Sequence, residues 1–103
     1  MFGGFYIYLA LIHIVVITHE RFTGATCQFG SAMPNTQASD GSLMTSYTNF
    51  NDCSNNCLRV STCYAIDWVP INNACYFHGQ NRPTQSQAGV THYQISNPSC
   101  KNT

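Results

Sequence analysis

A stripe of apolar positions, spaced three and four residues apart, predicts one α-helix near the middle of the chain. Its start is marked by Asn49, a favourable N-cap residue, and by Asp52, which completes an arrangement similar to a capping box. The other positions are mostly Asn and Ser, which are weak helix formers, so packing and cross-links must hold the helix. The members of the stripe are Phe50, Cys53, Cys57 and either Leu58 or Val60.

Short runs of apolar and aromatic residues after the helix have the composition of strands. Residues 63–69 and Ala74–His78 predict a hairpin, because Pro70 interrupts the pattern and asparagines follow it. Residues 90–96 predict the last strand. The alternation of side chains directs Cys75 and Phe77 towards the helix. By the same alternation Tyr93 and Ile95 face inward, and the side chains expected to face outward are Tyr76, His78, His92 and Gln94.

The remaining segments carry weaker signals. Residues 27–32 and 43–47 are short strand candidates, the first with Phe29 pointing inward. Residues 33–42 and 79–89 are rich in turn-forming and polar residues, and we expect both to be loops.

The first part of the chain has the pattern of a secretory leader. Residues 5–17 are apolar except for His13, and this run is short for a membrane span, which needs about 20 residues. We expect residues 1–25 to be a signal peptide cleaved after Ala25 and residues 26–103 to be a single domain. Cleavage after Thr18 and an uncleaved signal anchor are the alternatives. We expect no membrane span in the mature chain.

Charge and size restrict the function of the remaining domain. The charged side chains beyond residue 25 balance, being Arg59, Arg82 and Lys101 against Asp40, Asp52 and Asp67. Without a basic run, DNA and RNA are not expected partners. A domain this small buries too little apolar surface to be comfortably stable, and six cysteines in a short secreted chain indicate a disulfide framework.

Six cysteines allow fifteen pairings, and spacing alone does not choose among them. The predicted elements narrow the choice. Cys57 and Cys63 flank the turn from helix to strand, and Cys53, one helical turn earlier, can reach Cys75 on the neighbouring strand. The remaining pair, Cys27 and Cys100, would then join the two ends of the domain.

With these features the chain resembles the PAN/Apple domain family across residues 27–100. The resemblance rests on four motifs, which are Cys53-x3-Cys57, Cys63-Tyr64-Ala65-Ile66, Cys75-Tyr76-Phe77-His78 and Gly89-Val90-Thr91-His92-Tyr93. It implies an α+β fold in which a curled antiparallel sheet of about five short strands cradles one helix. It also implies the pairs Cys27–Cys100, Cys53–Cys75 and Cys57–Cys63. Its members generally bind proteins or carbohydrates, so we expect a secreted, extracellular recognition module whose partner is a protein or a glycan.

Catalytic and metal-binding alternatives have less support. Zinc could use four of the residues Cys53, Cys57, Cys63, Cys75 and His78, but the paired short spacings of structural zinc sites are missing. No nucleophile or metalloprotease motif occurs in the sequence. We therefore expect the domain to have no enzymatic activity, no cofactor and no metal site. His78 and His92 are expected to lie outward on the sheet.

The candidate ligand contacts are aromatic, histidine and arginine side chains expected at the surface, namely Trp68, Tyr76, His78, Arg82 and His92. Burial in the core is the competing role of each aromatic residue. Asp67, within an apolar strand, is expected to pair with Arg59 or Arg82 or to lie at an exposed edge. The alternative function is a disulfide-rich secreted effector, such as a protease inhibitor or a toxin-like peptide, which would act through a rigid loop bearing Arg82.

Overall fold

The computed structural model describes residues 26–102, which form an α+β fold of one α-helix and a five-stranded antiparallel sheet. The strand order is β1-β5-β3-β4-β2. The predicted fold class is therefore confirmed. The predicted leader lies outside the described residues. The elements are β1 (Met33–Ala38), β2 (Ser42–Leu43), α1 (Phe50–Arg59), β3 (Ala65–Val69), β4 (Ala74–His78) and β5 (Thr84–Gln94), with 3-10 turns at Pro70–Asn72 and Pro98–Lys101.

Side chains complete the hydrogen bonding at both ends of α1. At the start, Asn49 Oδ1 accepts from the Asp52 amide at 2.8 Å, and Asn49 Nδ2 donates to the Asp52 carboxylate at 2.9 Å. At the end, Lys101 Nζ donates to the carbonyl oxygens of Cys57, Leu58 and Val60 at 2.7–2.8 Å. Burial lowers the pKa of Lys101 from its usual value. The N-cap was predicted, whereas the C-terminal cap depends on a residue 41 positions or more away in sequence.

Three disulfides bind the helix to the sheet and close the domain. Cys53 bonds to Cys75 on β4, Cys57 bonds to Cys63 just before β3, and Cys27 bonds to Cys100. These are the pairs expected from the sequence, and no cysteine among residues 26–102 is free. Because all of these sulfurs are oxidised, a zinc site built from cysteines is excluded.

Apolar packing accompanies the disulfides between α1 and the sheet. The Phe50 ring of α1 contacts Trp68 on β3 and Tyr93 on β5, with ring centroids 5.9 and 5.1 Å apart. Ile66 is fully buried and Ile95 almost so. Cys75 and Phe77 are also buried, and half-buried Tyr93 packs against the same core. The predicted inward-facing residues therefore lie in the core.

Both segments predicted as loops contribute to the sheet, so these predictions are wrong. Residues 33–38 form β1, which pairs with β5, and β5 itself begins at Thr84 within the second predicted loop. The β1–β5 register shifts between Pro34 and Thr36, and Gly89 has a φ of +82° at the corresponding bend in β5. The side chains of the paired residues here are mostly polar, so no apolar alternation marks these strands.

The two weak strand candidates are also corrected. Residues 27–32 make only a single bridge, between Phe29 and Ile95, and residues 43–47 contribute only Leu43 to a two-residue strand. The chain after β2 still follows the sheet edge briefly, because the Met44 amide donates to the Cys75 carbonyl at 2.8 Å.

Candidate functional site

Three ionisable side chains lie on the face of the sheet that points away from α1. Asp67 on β3 is directly opposite His92 on β5 and Tyr76 on β4. His78 is two residues beyond Tyr76 on β4, so it shares the same face. We call Asp67, His78 and His92 the His–Asp–His cluster.

This face of the sheet is covered by residues 38–41, which comprise the last residue of β1 and the connection to β2 and which we call the cover segment. The Ala38 amide donates to Asp67 Oδ2 at 3.1 Å. Gly41 packs so closely on the sheet that a Cβ atom there would lie 2.8 Å from His78 Cε1 and 3.0 Å from Tyr76 Cβ. Only a residue without a side chain fits this contact.

The cluster is held together by short hydrogen bonds. His78 Nε2 lies 2.8 Å from Asp67 Oδ2, and His92 Nδ1 lies 2.6 Å from Asp67 Oδ1. The residues are almost completely buried, with exposed fractions of 4% for Asp67, 2% for His78 and 0% for His92. Both rings donate to the carboxylate, which therefore has a hydrogen bond on each oxygen.

The electrostatics of the cluster favour an ionised Asp67. Burial alone would raise its pKa, but hydrogen bonds from His78, His92 and the Ala38 amide outweigh burial and lower the pKa to about 2. The outer nitrogens of the two rings, His78 Nδ1 and His92 Nε2, are buried and have no hydrogen-bond partner within residues 26–102. Among the described residues, Asp67 is thus the one hydrogen-bond partner of both imidazoles.

Two sequence predictions about these residues are wrong. His78 and His92 do not face solvent, and Asp67 pairs with them instead of with Arg59 or Arg82. The alternation assigned both histidines to the correct side of the sheet. The error arose because the segment that covers this side was predicted to be a solvent-exposed loop.

Beside the cluster is a cleft of about 400 Å³, bounded by the cover segment, β5 and the exposed part of the same sheet face. We call it the polar cleft. The residues with polar side chains that line it are Gln37, Ser39, Asp40, Asp67, Tyr76, Gln85 and Gln87. Val69 and Val90 add small apolar patches.

The five predicted contact residues are divided between different parts of the molecule. Tyr76 lines the polar cleft, and exposed Arg82 lies at its rim, with Nη1 3.8 Å from Asp40 Oδ2. Trp68 is only 9% exposed and packs against Phe50 on the helix side, so its prediction as a surface contact is wrong. His78 and His92 are too buried to touch a surface ligand.

Sequence reasoning did not identify several residues of the polar cleft. The three glutamines and Asp40 belong to segments predicted as loops, where single polar residues give no functional signal. Only their pairing between β1 and β5 brings them together. Gln37 lies directly opposite Gln85 in that pairing.

Comparisons with models of protein families, with curated proteins and with solved structures find no match to this chain. No helix within residues 26–102 is long and apolar enough to cross a membrane.

Proposed function

We propose that this chain is a secreted, non-enzymatic recognition module that binds a carbohydrate in the polar cleft. The observation that carries the proposal is the lining of the cleft, which combines glutamine and aspartate residues with one tyrosine. Sites for apolar small molecules are lined mainly by hydrophobic side chains, and this cleft is not.

The chemistry of the lining matches a ligand rich in hydroxyl groups. A glutamine amide both donates and accepts hydrogen bonds, as a sugar hydroxyl does, and a carboxylate accepts from two hydroxyls at once. The half-buried Tyr76 ring offers an apolar surface with a polar tip, which suits the alternating C–H and O–H groups of a sugar ring.

The scaffold supports recognition because the floor of the cleft belongs to the cross-linked sheet. Tyr76 directly follows Cys75, which is bonded to α1, so the strand that carries the ring has little freedom. A preformed site reduces the entropy lost on binding. Disulfides persist in oxidising compartments, which supports secretion, and the resemblance to PAN/Apple domains supports an extracellular binding role.

A glycan array followed by calorimetric titration of the best sugar tests the proposal. We expect saturable binding that Tyr76→Ala weakens by about 5-fold, since loss of one aromatic contact removes about 1 kcal/mol. Gln85→Ala, on the exposed wall of the cleft, should weaken binding as well. Asn55→Ala is the matched control, because Asn55 is an exposed amide on α1, away from this cleft.

Two outcomes would overturn the carbohydrate proposal. One is the absence of saturable sugar binding by correctly bridged protein. The other is sugar binding that Asn55→Ala weakens as much as Tyr76→Ala does. Stoichiometric inhibition of a protease that is abolished by Arg82→Ala would instead support the secreted effector.

A further inference from the structure

The His–Asp–His cluster provides a set of metal-binding donors, of which only Asp67 also lines the polar cleft. One donor atom from each residue, an imidazole nitrogen or a carboxylate oxygen, lies within 4.8 Å of the donor atoms of the other two. We propose that Asp67, His78 and His92 together bind one divalent transition-metal ion, with Zn²⁺ as the expected occupant.

The identity of the donors favours Zn²⁺ over harder cations. Two imidazole nitrogens and one carboxylate oxygen are typical ligands of Zn²⁺, whereas Ca²⁺ and Mg²⁺ prefer sites made entirely of oxygen. Three protein ligands leave a fourth position of a tetrahedral ion for water or another small ligand. The charge also fits, because the buried carboxylate of Asp67 would face a cation.

The backbone holds these donors close to the required arrangement. Each donor belongs to a different one of three neighbouring strands, in the order β5, β3, β4. His78 lies three residues after Cys75, whose disulfide fixes β4 to α1. Cover-segment residue Gly41 closes over His78. A rigid frame of this kind limits the movement of the donors and therefore favours ions of matching size.

The hydrogen bonds of the cluster are compatible with exchange for a metal ion. Each ring uses only its inner nitrogen, and within residues 26–102 the outer nitrogens have no partner that would fix the tautomer. When a metal ion binds, each imidazole can therefore move its proton from the inner to the outer nitrogen and direct the freed lone pair at the ion. Tetrahedral Zn²⁺ ligands are about 3.3 Å apart. Each imidazole nitrogen would therefore move about 0.5–0.7 Å away from the carboxylate oxygen that it now faces.

Metal titration of the full chain, expressed in an oxidising host compartment and stripped with a chelator, tests this proposal. Equilibrium dialysis should give about one Zn²⁺ per chain at low micromolar free metal. Co²⁺ should replace it and produce the visible absorption of a tetrahedral site with nitrogen and oxygen ligands. We expect His92→Gln, His78→Gln and Asp67→Asn each to weaken binding by more than about 100-fold.

The control variant is Asp52→Asn, which removes an exposed carboxylate at the start of α1 and should leave Zn²⁺ affinity unchanged. If a cluster variant fails to fold, X-ray absorption spectroscopy of the Co²⁺-loaded wild-type protein identifies the ligands instead. We expect two imidazoles in the first coordination sphere of the ion. Stripped wild-type protein that binds no Zn²⁺ at 100-fold molar excess would overturn the proposal. Bound metal without imidazole ligands would also overturn it. So would a loss of Zn²⁺ affinity in Asp52→Asn equal to the loss in the cluster variants.

Discussion

The two faces of the sheet are stabilised by different physical means. On the helix side, the Cys53–Cys75 disulfide and apolar contacts such as that between Phe50 and Trp68 hold α1 against the strands. On the other side, an ionised Asp67 between two buried histidines holds the cover segment and the strands together. One face depends on covalent bonds and hydrocarbon, and the other depends on charge and hydrogen bonds.

The contrast shows that a small domain can enclose the second face of its sheet with very few apolar residues. The cover segment lies over the sheet through the Ala38 amide and through Gly41, neither of which has a large side chain. Burying three ionisable groups is costly unless they satisfy one another, so this face is sensitive to single changes in charge. The helix face should be sensitive to reduction instead.

The largest expected effect is on the helix face. The double variant Cys53→Ser/Cys75→Ser should lose about 3.4 kcal/mol of unfolding free energy in urea, because an open bridge frees a long loop in the unfolded chain. Cys57→Ser/Cys63→Ser, which opens the shortest loop, should lose about 2.4 kcal/mol. Excess reductant should unfold the domain completely, and an unchanged circular dichroism spectrum and melting point in reductant would contradict this assignment.

An effect between these two values is expected on the opposite face. Asp67→Asn should cost about 3 kcal/mol in urea unfolding, since it removes the charge that both buried rings need as their partner. Asp40→Asn is the matched change at an exposed ion pair with Arg82 and should cost less than about 1 kcal/mol. Similar losses in both variants would show that Asp67 is not the buried centre of a network.

Acid should weaken the same face. The pKa of Asp67 is lowered from 3.8 to about 2 in the folded chain, so the unfolded chain binds a proton more readily. The resulting stability is fully present above about pH 4 and is lost as the pH falls towards 2, amounting to about 2 kcal/mol. The measurement is the free energy of unfolding in urea, determined for chelator-treated protein across this pH range. Asp67→Asn should reduce the dependence of the unfolding free energy on pH in this range. An unaltered dependence in that variant would assign the loss of stability to other carboxyl groups.

A smaller effect is expected from the glycine that closes the cover segment. Gly41→Ala should destabilise the fold by about 1–2 kcal/mol, because the added methyl group meets the His78 ring and Tyr76 Cβ. Gly89→Ala meets no atom within 4 Å but keeps a positive φ, so about 1 kcal/mol is expected from the backbone alone. The variants differ further in that only Gly41→Ala should perturb the NMR signals of His78.

Local sequence signals predicted the helix face well. The N-cap at Asn49, the buried cysteines of α1 and the strand Ala74–His78 all follow from spacing and composition within a few residues. The Lys101 contacts were not predictable, because they join distant parts of the chain. The cluster was missed for the same reason, since Ala38, Asp67 and His92 meet only once the sheet has formed.

The most direct test of the account is the state of the imidazole N–H groups of His78 and His92 in metal-free protein. Nitrogen-15 NMR, with signals assigned through His78→Gln and His92→Gln, should show one slowly exchanging proton on His78 Nε2 and one on His92 Nδ1. Both protons should be protected from solvent, and both should shift in Asp67→Asn. Rapid exchange of both ring protons with water, as for exposed histidines, would contradict the account.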